Sequence, residues 1–218
     1  MASDFWSPIR LSIEIACVSS LIVLVLGLVL GKVMANTTFK GKAIVETVFL
    51  LPLVLPPTVV GFLLIVLFGR NSPVGQWIEW VFKQPVMFTW WAAIIASAVV
   101  AFPLMYQSSK TGFEAIDEDI QNAARVDGAN EFTLFIFVAI PLALKSIVSG
   151  GILSFARALG EFGATLMFAG NIPGKTQTTP TAIYIAIDSG DMQMAWLWVV
   201  SMIGISFFML ICVNLMKS

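Results

Sequence analysis

Long uncharged, apolar stretches alternate along the chain with short segments that hold most of the charged residues. Charge is absent from residues 15–31, 47–69, 84–109 and 192–216. Three of these runs exceed the roughly 18–20 residues that a helix needs to cross a hydrocarbon layer about 30 Å thick. With a more polar fourth segment added, the pattern predicts five membrane-spanning helices, over residues 9–33, 44–69, 86–109, 142–168 and 192–216. We therefore predict an all-α, polytopic membrane protein with a single domain over residues 1–218.

The fourth predicted span is the least regular, because Lys145, Arg157 and Glu161 interrupt it. Dividing it into two segments would give six crossings of the membrane. Neither half would be long enough to span the bilayer comfortably. The pattern therefore favours five crossings over six.

Composition excludes several classes of protein. Only 11% of the residues are charged, against about a quarter in an ordinary soluble domain. The absence of histidine removes catalytic triads and histidine-ligated metal sites. A net charge of −1 offers no basic surface to a nucleic acid, and the sequence lacks a GxxxxGKT-type loop for ATP. Cys17 and Cys212 lie inside apolar runs and are predicted to be small buried side chains rather than a disulfide.

The distribution of lysine and arginine predicts the orientation in the membrane. Five crossings place seven of these residues on one side: Lys32, Lys40, Lys42, Lys110, Arg125, Lys145 and Lys217. The opposite side holds four: Arg10, Arg70, Lys83 and Lys175. Because cytoplasmic loops carry the excess of positive charge, the C-terminus and the connection over 110–145 are predicted to be cytoplasmic.

Tryptophan is a second indication of sidedness, because its amphipathic ring prefers the membrane interface. All seven tryptophans fall in loops or helix ends of the predicted outer side: Trp6, Trp77, Trp80, Trp90, Trp91, Trp196 and Trp198. An outer segment rich in threonine, residues 176–181, is predicted to be exposed. Contact with an external binding protein and a plain interfacial loop are both open interpretations of that segment.

Three prolines, Pro52, Pro56 and Pro57, fall inside the second predicted span. Each removes a helix hydrogen bond, so the span is predicted to kink. Pro56 and Pro57 are candidate gate residues if the kink moves during function. Glycine pairs in the first and fourth spans predict close helix packing: Gly27 with Gly31, and Gly150 with Gly151.

The long connection after the third span, about residues 112–141, contains a further predicted helix. Apolar or small side chains recur at helical spacing: Phe113, Ile116, Ile120, Ala123 and Ala124. Asp117, Glu118 and Asp119 indicate a helix start, where carboxylates interact favourably with the helix dipole. Gly128 indicates the end, where a left-handed residue is common. A helix of about ten residues should therefore end at Asp127, outside the membrane.

Such a short helix is marginal by itself in water, so other structure must hold it. Its small residues Ala123, Ala124, Gly128 and Ala129 would form a low-relief surface that a partner's groove could approach closely. The alternative is an amphipathic linker on the lipid surface. The helix is acidic and has few large apolar residues, which suits anionic lipid poorly. Docking to a protein partner is therefore favoured.

The segment also has a recognisable spacing: Asn122-Ala123-Ala124, Gly128 four residues later, then nine residues and Val138-Ala139-Ile140-Pro141. It resembles the EAA loop of binding-protein-dependent ABC importer permeases, with Asn122 in place of the glutamate. The resemblance implies a type I permease fold and a coupling helix that seats in a cytoplasmic ATPase subunit. The implied coupling residues are Asn122, Ala123, Ala124, Asp127, Gly128 and Ala129.

Two further stretches, residues 51–64 and 155–187, are similar to molybdate-type permeases. The resemblance implies a homodimer in a prokaryotic cell membrane, two cytoplasmic ATP-binding cassette subunits and an external oxyanion-binding protein. ATP and Mg²⁺ would bind the ATPase subunit, and no cofactor is expected in this chain. Sulfate, thiosulfate and tungstate permeases share related patterns, so these anions stay alternatives.

Arg157 and Glu161 lie four residues apart, so they can pair on one helical face. A buried ionisable group in a membrane needs a partner or access to water. A mutual ion pair is favoured over an arginine that faces the pathway and attracts an oxyanion. With Phe162 and Gly163, which follow directly, these residues complete the candidate pathway set.

Two other functional classes fit less well. An ion-coupled secondary transporter usually shows inverted repeats or several mid-membrane ionisable residues, and only Arg157 and Glu161 qualify here. A membrane-embedded enzyme would need acid–base or nucleophilic groups that this composition does not supply.

Overall fold

The computed structural model describes residues 5–217, with the side chains of residues 5–211. This part of the chain is helical and contains no strand. The helices are α1 (Trp6–Asn36), α2 (Lys42–Val54), α3 (Pro57–Phe68), α4 (Pro73–Phe82), α5 (Trp90–Glu114), α6 (Glu118–Val126), α7 (Glu131–Leu134), α8 (Ile140–Leu142), α9 (Leu144–Leu159), α10 (Gly163–Phe168), α11 (Thr179–Asp188) and α12 (Met192–Lys217). A π-helical turn, Phe135–Ala139, joins α7 to α8. The predicted all-α class is confirmed.

Three helices are long and apolar enough to cross a membrane: α1, α5 and the part Met192–Ile211 of α12. Two bent pairs raise the number to five if each pair counts as one span. These are α2 with α3, bent by 118°, and Glu131–Leu142 with α9, bent by 77°. The predicted five crossings are thus reached only when broken helices are counted.

The predicted continuous span over 142–168 is wrong. α9 ends at Leu159, and α10 begins separately at Gly163. Between them, Glu161 Oε1 accepts a hydrogen bond from the backbone N–H of Ala164 at 2.8 Å. A side-chain acceptor at this position satisfies one of the free N–H groups of a new helix. The carboxylate therefore favours a break where the sequence pattern predicted continuity.

The predicted kink in the second span is confirmed, as a complete break between α2 and α3. Leu55 and Pro56 each precede a proline, and both are extended, with ψ angles of 141° and 137°. A proline ring disfavours helical geometry in the residue before it. Pro57 then starts α3 at the first helical position, where its missing N–H breaks no hydrogen bond.

α1 and α5 pack side by side in the same direction and form the centre of the chain. A Cβ added to Gly27 would lie 2.6 Å from Met105 Cγ, and one added to Gly31 would lie 2.8 Å from Ser109 Cβ. The predicted close packing is confirmed at these two glycines and is wrong at Gly151, where an added Cβ would meet nothing within 4 Å. α9 packs on α5 in the opposite direction, because Gly150 meets Ser108 while the later Ser154 donates to the earlier Ala101 carbonyl.

The bundle has two chemically different ends. α1, α5 and α12 begin at one end, beside α4, and this end carries all seven tryptophans. Trp198 Nε1 donates there to the Phe5 carbonyl at 3.0 Å, and Trp77 and Trp91 line one pocket. α1 and α5 finish at the other end, where α6 lies. The predicted grouping of tryptophan is confirmed. We call the end where α1, α5 and α12 begin the tryptophan end.

Two predictions about exposure are wrong. The threonines of 176–181 are buried rather than exposed, because the start of α11 packs on α1 and the Thr179 N–H donates to Ser12 Oγ at 2.8 Å. Cys17 is exposed rather than buried, because α1 packs along the face of Ala16 and Val23. The matching prediction for Cys212 lies outside the described side chains.

Candidate functional site: a docking helix and two helix breaks

The predicted helix of the connection is present as α6, Glu118–Val126. Asp117 caps its start, with Oδ1 accepting from the Asp119 N–H at 2.9 Å. Asp127 follows its last residue, and Gly128 has a φ of 92°. That left-handed conformation is open to glycine at little cost. The predicted start and end of this helix are therefore confirmed.

The packed and exposed faces of α6 differ from the predicted pattern. Phe113 and Ile116 are buried, but they belong to the end of α5 and the link that follows. Ile120 and Ala123 are exposed, and Val126 is 86% exposed. α6 therefore presents a small apolar face to the outside instead of burying it.

Gln121 occupies the buried position on α6 and holds it to the end of α1. Lys32 Nζ donates to Gln121 Oε1 at 3.0 Å and lies 5.6 Å from the centre of the Phe113 ring. Gln121 is 6% exposed, so its side of the hydrogen bond is shielded from water, which strengthens the bond. Sequence reasoning missed this contact, because its two residues stand 89 positions apart.

Arg125 connects α6 to α7 across the turn at Gly128. Its Nε donates to Glu131 Oε1 at 2.8 Å, and Nη1 donates to Asn122 Oδ1 at 3.0 Å. The hydrogen bond to Glu131 raises the pKa of the Arg125 guanidinium. Asn122, which stands where the EAA pattern has glutamate, therefore accepts a hydrogen bond from Arg125 within α6.

Of the remaining coupling candidates, Ala124 and Ala129 are half-buried and Asp127 and Gly128 are exposed. Ala124 packs against the core around Phe113 and Leu134. The fold thus brings all six candidates into one helix and the turn that ends it. Their coupling role stays a prediction.

Two helix breaks, the one before α3 and the one before α10, touch each other. A Cβ added to Gly163, at the start of α10, would lie 3.0 Å from the Cβ of Pro57, at the start of α3. One added to Gly61 would lie 2.7 Å from the Cβ of Met167. The first turns of α3 and α10 therefore run side by side from the breaks that precede them.

Arg157 and Glu161 form the predicted ion pair, with Arg157 Nη1 2.7 Å from Glu161 Oε2. The glutamate side chain is 1% exposed and the arginine side chain 30%. Phe162 contacts the ring of Tyr184, with centroids 5.4 Å apart, and Pro56 is exposed. Among the pathway candidates, the structure therefore joins Pro57 with Gly163 and Arg157 with Glu161.

Three apolar helices and two bent pairs that could each count as one span define a multi-pass membrane protein, with the exposed helix α6 at one end. Residues 24–217 match the family described as "Binding-protein-dependent transport system inner membrane component", and the chain belongs to that family. Its members are ABC importer permeases. They are transport subunits, and a separate ATPase subunit hydrolyses the ATP.

Curated relatives share much of the sequence. The chain is 61% identical over 217 residues to the "Putative molybdenum transport system permease protein YvgM" of Bacillus subtilis (strain 168), covering 100% of this chain and 96% of that protein. It is 39% identical over 198 residues to the "Molybdenum transport system permease protein ModB" of Escherichia coli (strain K12), covering 90% and 86%.

Solved structures share the fold at low sequence identity. A chain of a bacterial alginate ABC transporter, in complex with an alginate pentasaccharide-bound periplasmic protein, has a TM-score of 0.78 at 16% identity, covering 100% of this chain and 79% of that one. A chain of the inward-facing MetNI methionine ABC transporter has a TM-score of 0.73 at 15% identity, covering 99% and 97%. The type I permease fold is confirmed.

Proposed function

We propose that this chain is the permease subunit that carries molybdate across a prokaryotic cell membrane in an ABC importer. The observation that carries the proposal is the similarity over the whole chain to a relative named for molybdenum transport. The exposed α6 and the paired helix breaks are the geometry that such a subunit needs.

The working assembly contains two copies of this chain, two cytoplasmic ATPase subunits and one external molybdate-binding protein. ATP and Mg²⁺ bind to the ATPase subunits, and this chain holds no cofactor. The end with α6 and the C-terminus face the cytoplasm, and the tryptophan end faces outward, where the binding protein delivers its anion. The lysine bias and the tryptophan belt support this orientation.

α6 docks in a cleft of the ATPase subunit. Its exposed apolar face of Ile120, Ala123 and Val126 has no cover within the described chain. Small and apolar residues at the centre of an interface allow close approach and exclude water. The turn that follows, with Asp127 and Gly128 exposed, completes the docking surface beside Asn122, Ala124 and Ala129.

Movement of the docked helix reaches the pathway through the breaks. Pro57 and Gly163 meet where both spans lack continuous helix hydrogen bonds, so α3 and α10 can move against α2 and α9 with little loss of bonding. The Arg157–Glu161 pair supports α10 from within, and Phe162 beside it faces Tyr184. A transport pathway that bound a dianion tightly would release it slowly, so a neutralised arginine suits an importer.

ATP-driven uptake tests the function. The chain is reconstituted in proteoliposomes with its ATPase subunit, its binding protein and radiolabelled molybdate. We expect uptake that needs ATP and the binding protein, with excess tungstate or sulfate as competitors that rank the anions. Uptake driven by a proton gradient without ATP would assign the chain to the secondary transporters instead.

Substitution of Ala123 tests the docking surface. Ala123→Arg places a long charged side chain on the exposed face of α6, so we expect co-purification with the ATPase subunit to fall and uptake with it. Ala123→Ser keeps a small side chain on this face and is the matched control. We expect its co-purification with the ATPase subunit and its uptake to stay near wild type. Unchanged uptake by the arginine variant would contradict docking through this face.

A further inference from the structure

A polar groove runs between α5 and α9 near the end of the bundle that carries α6. Its volume is about 520 Å³. Six of its seven lining residues are polar, and they are Gln107, Ser108, Thr111, Lys145, Ser146 and Ser149, with Leu153 as the seventh. We call it the α5–α9 groove.

Comparison with α1 shows that the groove does not have a lipid-facing composition. Gly27 and Gly31 of α1 pack beside Met105 and Ser109 of α5, so residues 29–33 of α1 lie at the depth of residues 107–111 of α5. At this depth α1 exposes Val29 and Val33, each close to half-exposed. The exposed side chains of α5 at the same depth are Gln107 and Thr111.

The exposure of Gln107 and Thr111 also contrasts with the burial of the preceding part of α5. No side chain between 92 and 106 of this helix is exposed, because α1, α2 and α9 cover it. The first exposed residue beyond that stretch is Gln107. Gln107 Nε2 donates to Thr111 Oγ1 at 3.4 Å, but the serine hydroxyls and the Lys145 ammonium of the groove would lack water as a partner against lipid, which is costly. Water therefore fits this groove better than lipid does.

The charge of the groove indicates its ligand. Lys145 is the charged residue of the lining, and no carboxylate is among the lining residues. Hydroxyl, amide and ammonium groups all donate hydrogen bonds to an oxyanion. Leu153, the last lining residue along α9, precedes Arg157 by four residues, so Arg157 follows on the same side of the helix.

We propose that the α5–α9 groove is the cytoplasmic section of the anion pathway, and that Lys145 attracts the oxyanion as it leaves. The inference rests on the proposed function and assigns a binding surface to it. A single exposed cation and neutral donors in an open groove bind an anion weakly, which favours rapid release. A charge-lined cleft raises the local concentration and the passage rate of its ligand.

The role of Lys145 is tested by reversing its charge. In the reconstituted transporter, Lys145→Glu should lower ATP-driven molybdate uptake roughly tenfold or more. Roughly tenfold is the smallest increase in local ligand concentration and association rate that is typical of a cleft lined by charge of one sign. Lys40→Glu is the matched control, because Lys40 is exposed in the loop between α1 and α2, at the same end but outside the groove. Equal uptake by the two variants, with equal expression, would overturn the role of Lys145.

Access of water to the groove is tested by cysteine labelling. In inside-out vesicles of a Cys17→Ser, Cys212→Ser background, Ser149→Cys should react with an anionic, membrane-impermeant thiosulfonate, and molybdate should slow the reaction. Val29→Cys at a similar depth should stay unreacted, because a thiol in lipid does not ionise. A Ser149→Cys thiol that stays inert with and without ATP would show that lipid or the second copy covers the groove, and would overturn the inference.

The two tests separate this inference from the function on which it rests. If the wild-type transporter carries no oxyanion, the proposed function and the anion assignment both fail, while labelling of Ser149→Cys still reports an aqueous groove. If the wild type carries molybdate but Ser149→Cys stays inert, only the groove is wrongly assigned.

Discussion

The carboxylate of Glu161 makes two contacts at once, although its side chain is only 1% exposed. One oxygen accepts from the first turn of α10, and the other pairs with Arg157. Loss of either partner would leave a charge or a helix end unsatisfied in a low-dielectric surrounding. The contacts of Glu161 therefore stabilise the fold at the start of α10, and a role of Arg157 in the transport pathway stays a prediction.

Substitution of Arg157 should therefore affect the amount of folded protein more than the choice of substrate. Arg157→Ala leaves a buried carboxylate unpaired, for which about 3–5 kcal/mol is typical, with the lower value expected because Arg157 is partly exposed. Thermal unfolding in detergent and membrane yield measure the effect. Arg10→Ala, which removes the exposed i,i+4 pair with Glu14, is the control and should change little. Normal yield with an altered oxyanion preference would contradict the structural role.

Two adjacent glycines in α9 provide a second test at single positions. A Cβ added to Gly150 would lie 2.6 Å from the Cβ of Ser108, whereas one added to Gly151 meets nothing within 4 Å. Gly150→Ala should therefore destabilise the chain by about 1–3 kcal/mol through overpacking. Gly151→Ala should stabilise it by about 0.5–1 kcal/mol, as alanine does inside a helix. Melting temperatures measure both, and equal shifts would contradict the close α5–α9 contact.

Among the elements, α6 is short and is held in place by polar contacts from other helices. Lys32 of α1 anchors its buried side through Gln121, and Arg125 anchors its end to Glu131 of α7. Because a nine-residue helix is marginal in isolation, these contacts fix the direction in which α6 presents its apolar face. They also connect the docking surface to α1, and through α1 to α5.

The Lys32–Gln121 contact should therefore matter for coupling between ATP hydrolysis and transport. Lys32→Met and Gln121→Met should each lower uptake fivefold or more, for a coupling loss of about 1–3 kcal/mol, while ATP hydrolysis by the complex persists. The double variant should be no worse than either single variant, because both remove one contact. Lys40→Met, in the exposed loop, is the control. Additive losses in the double variant would show that the two residues act separately.

At the scale of the whole molecule, the two ends of the bundle differ in chemistry. Tryptophans gather where α1, α5 and α12 begin, and Lys32, Lys110 and Arg125 gather where α1 and α5 end and α6 lies. The folded chain thus places the tryptophans at one end of the bundle axis and these three cationic residues at the other. Both patterns predict that the α6 end is cytoplasmic.

Cysteine labelling in intact cells measures this orientation. In the background without native cysteines, Lys175→Cys at the tryptophan end should react with an impermeant maleimide from outside. Lys40→Cys at the opposite end should react only after the membrane is permeabilised. Both positions are exposed, so accessibility within the protein is matched. The reverse pattern would invert the orientation and place α6 outside the cell.

Local rules account for the parts of the fold and site that the sequence predicted. Hydropathy predicted the continuous spans of α1, α5 and α12, and the double proline predicted the break before α3. Asp117 and Gly128 predicted the ends of α6. Each of these signals acts on its own few residues. The class of transporter was predicted from the resemblance of one loop to the EAA loop of ABC importer permeases, and the family match confirms it. The break at Glu161 was not predicted, because it depends on the hydrogen bond that Glu161 Oε1 accepts from the Ala164 N–H.

Tertiary structure alone decided the contacts between distant positions. Lys32 hydrogen-bonds to Gln121 over a sequence separation of 89 residues, and Thr179 hydrogen-bonds to Ser12 over 167. Hydropathy cannot indicate such pairs, because they form only when the helices pack. For the same reason, the outward face of α6, the contact of Pro57 with Gly163 and the polar groove beside Lys145 became visible only in the folded chain. Sequence set where the helices begin and break, and packing set which of their side chains meet.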